Sequence, residues 1–184
     1  MDSIEKICAK HINTSAINNC NHFVQAVAKE LWSDTLPSSL AGRANDILAQ
    51  LAVNGSWLNL GNGHDSATSH AVEGYFVVGG VTDTTGHVFV VVPGGPSPKG
   101  VATPWINRQT QQPFLSRGGL PMAFNGSSNP PLRIKHKIGV DLMFSAAKFS
   151  EIRYYAIPDP RKTTALLKPS AKLALFRQME GRNA

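Results

Sequence analysis

The sequence predicts a single α+β domain in which N-terminal helices pack on an antiparallel β-sheet. Three observations predict it. Apolar residues recur at helical spacing through the first fifty positions, two β-branched runs form a hairpin in the middle, and a further alternating run lies near the end. At 184 residues the chain is long enough to bury one proper core, and 42% hydrophobic against 16% charged residues is a globular composition.

Ile4, Ile7, Cys8 and Ile12 define a short first helix. In "NNCNHFVQAVAKEL" (18–31), Asn18 or Asn19 is placed to cap a second, with Phe23, Val24, Val27, Ala28 and Leu31 as its apolar stripe. A third helix is expected from Arg43 to Val53, with Ile47, Leu48 and Leu51 inward. "NGSWLNLGNGHDSATSH" (54–70) reads as a loop because it is rich in Gly, Asn and Ser. "YFVVGGV" (75–81) and "HVFVVVP" (87–93) are strands joined by the turn "TDTTG", and the second, wholly apolar after its histidine, belongs at the centre of the sheet.

Eight of the twelve prolines fall between 93 and 131, so most of that stretch reads as long loops, with a loop insertion over 93–119 and a short strand in "LPMAFNG" (120–126). "LRIKHKI" (132–138) and "IRYYAIP" (152–158) alternate as strands do. Ala165 to Met179 has the pattern of a short amphipathic helix, so residues 163–184 read as a C-terminal surface helix or tail.

The net charge of +6 favours anionic partners, yet no Lys/Arg run exceeds two residues, so a dedicated nucleic-acid face is not supported. The N-terminus, "MDSIEKICAKHIN", lacks the apolar run of a signal peptide, and no stretch approaches the roughly 18 apolar residues of a membrane span. Two cysteines make no disulfide framework, although Cys8 and Cys20 have the option of pairing. The sequence has no G-x-S-x-G elbow, Walker loop, HExxH or paired CxxC. His64, Asp65 and His70, together in a Gly/Ser loop, read as solvated side chains before they read as metal ligands.

Cys20 stands out by position. A thiol at a helix start faces unpaired backbone N–H groups and the positive end of the helix dipole, which favour thiolate. Cys20 shares a face with Val24, Val27 and Leu31, so its sulfur is aimed at the sheet. Cys8, mid-helix, reads as structural. A nucleophilic thiol needs a base. His22 is two helical residues on, about 200° around, and points elsewhere. His87, at the mouth of the central strand with Phe89 and Val91 on its face, is the better base. Asn125, ending its short strand, is the candidate that orients the imidazole, with Asn107 in "PWINRQ" in reserve.

Cys at a helix start, His at a strand start and a polar residue on the next strand follow the order of the NlpC-type and CHAP-type papain-like amidases. The chain is more closely similar to the type VI secretion amidase effectors. "NNCNHFVQAVAKEL" resembles their nucleophile helix, "GYFVVGGVTDTTGHVFVVVPG" their hairpin with the base, "LPMAFNGS" the stretch with their third catalytic position, and "EIRYYAIP" a late strand. Where such enzymes often have Asp before the cysteine and Ser-Gly after it, this chain has Asn19, Asn21 and His22.

The resemblance implies a papain-like (NlpC-type) fold and a cysteine peptidoglycan amidase with Cys20, His87 and Asn125 as catalytic residues and no cofactor or metal. The bond implied lies next to diaminopimelate, either D-Glu–diaminopimelate or the diaminopimelate–D-Ala crosslink. It implies peptidoglycan stem peptides, the type VI secretion apparatus and a cognate immunity protein as partners. It also implies delivery without a signal peptide to the periplasm of a recipient bacterium. Two rivals are a non-catalytic basic protein that binds cell wall or nucleic acid, and a papain-like thiol enzyme acting on proteins.

Overall fold

A computed structural model describes residues 2–13, 19–106, 111–126 and 137–162. The α-helices that position the site are α1 (Ile4–Ile12), α2 (Cys20–Leu31), α3 (Ala44–Val53) and α4 (His64–Glu73). The strands are β1 (Leu58–Gly61), β2 (Tyr75–Val81), β3 (His87–Pro96), β4 (Ala102–Ile106), β5 (Pro113–Leu115), β6 (Pro121–Phe124), β7 (Ile138–Gly139) and β8 (Arg153–Pro158). Six strands form an antiparallel sheet in the order β1-β8-β2-β3-β6-β7, and β4 and β5 pair separately. The fold is therefore α+β, with the 75–93 hairpin at the centre of the sheet.

The sheet separates two cores. On one face Phe76, Val78, Val88, Val90 and Phe124 meet the apolar stripes of α1, α2 and α3. On the other, Val77, Phe89, Val91, Ala123 and Tyr154 meet Ala67 and Ala71 of α4. Strand alternation divides β3 between them, and Val88 to Val92 are all buried. Gly79 makes the second face possible, because a Cβ there would collide with the rings of both Phe89 and Tyr154.

Two expectations are corrected. Residues 54–70 are not a loop, since they contain β1 and most of α4. The buried face of α4 consists of Ala67 and Ala71, so no large apolar residue marks its period. The reading of 93–119 as loop is corrected in part, because among its described residues β3 runs on to Pro96 and β4 pairs with β5. Pro113 opens β5 and, just past the insertion, Pro121 opens β6, positions where a missing N–H costs little. The expected helix over 165–179, Asn107, and residues 132–136 of an expected strand lie outside the described residues.

Candidate active site

α2 begins where its sequence says it should. Asn19 is extended and its side-chain oxygen accepts the N–H of His22 at 3.0 Å, so Cys20 is the first helical residue. Asn21 donates to the carbonyl of Gly42 at 3.0 Å, and Gln25 to those of Leu40 and Gly42, which fixes the first turn against the approach to α3. His87 is held equally firmly. Asp83 accepts from the N–H groups of Thr85 and Gly86, Asn45 of α3 donates to the Asp83 carbonyl at 2.8 Å, and Gly86 takes a positive φ of 69° that only glycine adopts easily.

Cys20 and His87 approach from opposite faces of the sheet. By alternation His87 shares the α4 face with Phe89 and Val91, while α2 covers the other face beside Val88. β6 stops just short of the part of β3 where they lie. The register pairs Val90 with Phe124, and continuing it sets Asn125 opposite Phe89 and Gly126 opposite Val88. α2 crosses at Gly126, where a Cβ would run into Phe23 and the Asn19 carbonyl. The Cys20 sulfur lies against the N–H of Val88, on the peptide that leaves His87. Asn125 lies diagonally beside His87 on the shared face and interacts with its imidazole.

The electrostatics differ from the sequence expectation for Cys20. Burial pushes the thiol up from 9.0, and the N–H groups of Val88, Asn21 and Cys20 itself offset this only in part. Burial also lowers His87 from 6.5, against the opposing pull of Asn125 and of the Asp83 carboxylate. Both shifts favour the uncharged forms, a thiol at Cys20 and a neutral imidazole at His87, and not a preformed thiolate. Asn125 is 6% exposed, and its Oδ1 lacks a hydrogen-bond partner of good geometry. Its influence on His87 nonetheless places it near the imidazole, so a small approach or a protonated ring would satisfy that oxygen.

Cys8 is fully buried in α1, its thiol raised chiefly by burial, and both cysteines are free. His22 is exposed. His64 and His70 lie on α4, with the His64 ring nitrogen 2.9 Å from the Tyr154 hydroxyl and that of His70 2.8 Å from the Ser66 carbonyl. Among the described residues no group of His, Cys, Asp and Glu is arranged to hold a metal ion, and no helix is long and apolar enough to cross a membrane. Two site features escape the sequence reading. The Val88 N–H carries no sequence signal, and Phe144, whose ring meets His87 edge-on at 5.4 Å, comes from a segment without periodicity. No protein-family model and no curated protein matches the chain.

Proposed function

We propose that this protein is a cysteine-dependent peptidoglycan amidase of papain-like, NlpC-type fold, hydrolysing an amide bond next to diaminopimelate in stem peptides. One observation carries the reading. The thiol that opens α2 lies at the peptide leaving His87, and His87 has Asn125 beside it. The likeness of these segments to type VI secretion amidase effectors supplies the substrate. It also supplies the remaining proposals, which are injection into the periplasm of a recipient bacterium and a cognate immunity protein. A basic chain suits an anionic wall.

In this mechanism His87 takes the Cys20 proton as the sulfur attacks the amide carbonyl, because the resting thiol is uncharged. The Cys20 N–H at the open end of α2 is positioned to stabilise the oxyanion. The His87 imidazolium then protonates the leaving amine as the C–N bond breaks, leaving a thioester. His87 next deprotonates a water, which attacks the thioester and releases the acid and the thiol. Asn125 holds the imidazole through both half-reactions.

The test is digestion of purified sacculi by the wild type and by Cys20→Ala, with products identified by mass spectrometry. The wild type is expected to release fragments whose masses name the bond, and Cys20→Ala to release none while still binding sacculi. Intact stem peptides after wild-type digestion refute the proposal. A purely electrostatic binder would instead keep its activity in Cys20→Ala and lose affinity steeply with salt. Cleavage of labelled proteins in place of sacculi would identify a thiol protease.

A further inference from the structure

After β7 at the sheet edge, the chain must cross β6, β3 and β2 to enter β8. It crosses on the α4 face, where Met143, Phe144 and Phe149 pack against the core that contains Phe89 and Val91. The crossing is tied at both ends. At its start Asp141 is buried. Its carboxylate accepts Ser97 Oγ at 3.0 Å, Ser116 Oγ at 2.7 Å, and the N–H groups of Arg117 at 2.7 Å and Gly118 at 3.3 Å. At its end Asn62 Nδ2 donates to the carbonyls of Phe149 at 2.6 Å and Ile152 at 3.0 Å. Between these ties Ser145, Ala146 and Ala147 are exposed, and Phe144 turns inward. Its ring meets His87 at 5.4 Å and 75°, and Phe89 at 5.8 Å.

We propose that residues 140–151 form a strap that clamps the His87 imidazole through Phe144, and that Asp141 anchors the strap. Phe144 and Asp141 are thus positioning residues for the base. The idea rests on the amidase reading for its consequence in catalysis but not for its structural content. An edge-to-face contact restricts rotation of the imidazole and keeps water from one side of it. Asp141 is three residues from Phe144, joined by the 3-10 turn Val140–Leu142, with Val140 fully buried, so displacement of the carboxylate is transmitted to the ring. The charged group acting on His87 is the Asp83 carboxylate from the β2–β3 turn, with Lys148 of the strap acting on Asp83, while the Cys20 thiol of α2 lies against the neighbouring Val88 N–H.

The experiment follows the His87 ring by NMR titration, alongside the pH profile of amide hydrolysis, in folded Phe144→Ala and Asp141→Ala. Both variants are expected to move the His87 midpoint up toward 6.5 and the acid limb of kcat with it. They are expected to lower kcat about 10- to 100-fold, as for a misplaced catalytic group, and to change KM little. Phe144→Leu restores the apolar cover and Asp141→Asn keeps the oxygen facing the two backbone N–H groups, so each is expected to recover most of the loss. If Asp141→Ala does not fold, Ser116→Ala removes a single tie and is expected to shift the midpoint the same way. An unchanged His87 midpoint in folded Phe144→Ala, or in the anchor variant, overturns the clamp. The titration needs no substrate, so it decides the clamp even if sacculi remain intact, an outcome that would refute the amidase reading alone.

Discussion

Cys20 is subject to two opposed influences, and burial wins. The open N–H groups of α2 favour a thiolate, but the sulfur is packed between α2 and β3, and its net shift is upward from 9.0. Alkylation by iodoacetamide, followed against pH, is therefore expected to have a midpoint above 9.0, and His87→Ala should leave it nearly unchanged. Rapid alkylation near pH 6 that disappears in His87→Ala would instead reveal a thiolate–imidazolium pair. Hydrolysis should give a broad bell, its acid limb below 6.5 from His87 and its alkaline limb above 9.0 from Cys20. Asn125 makes a separate prediction. Removing an incompletely paired buried carbonyl relieves about 1–3 kcal/mol, which offsets the cavity left by Asn125→Ala. Chemical denaturation should thus show little loss of stability in that variant, while kcat falls.

Among the elements, α2 and its contact with β6 determine the site. Asn19→Ala removes the side-chain cap at the start of α2 and is expected to cost about 1 kcal/mol in urea unfolding. Gly126→Ala forces a methyl group against Phe23 and should cost about 1–3 kcal/mol, with a disproportionate loss of activity because it separates α2 from the end of β6. Much of this was legible in the sequence. α1, α2, α3 and the β2–β3 hairpin announce themselves because large apolar residues mark their buried faces at the proper period. α4 does not, because its inward residues are alanines, and β4 and β5 are concealed by a Pro/Gly-rich composition. Position alone marked Cys20 and His87 as candidates. Their placement on opposite faces depends on strand register, and the uncharged state of each depends on the depth of packing, neither of which a one-dimensional pattern records.

At the scale of the whole molecule, acid is the predicted weakness. His64 and His87 titrate at 6.5 when unfolded and lower when folded, in both cases mainly because of burial. Below 6.5 the unfolded chain therefore binds more protons than the native one. Stability is complete above 6.5 and is lost as pH falls through the two folded values. Thermal melts should show Tm dropping in that window, and His64→Gln with His87→Gln should flatten the drop. The strand order has a second consequence, in time. β8 lies between β1 and β2, so the ladders on both its sides stay open until residues 153–158 have been synthesised. Pairings such as Gly80 with Arg153 span a long loop and must await its closure, which places this chain among slow folders. A ribosome-bound chain truncated before residue 153 should stay protease-sensitive, and release of the β8 segment from the exit tunnel should coincide with the appearance of protected structure.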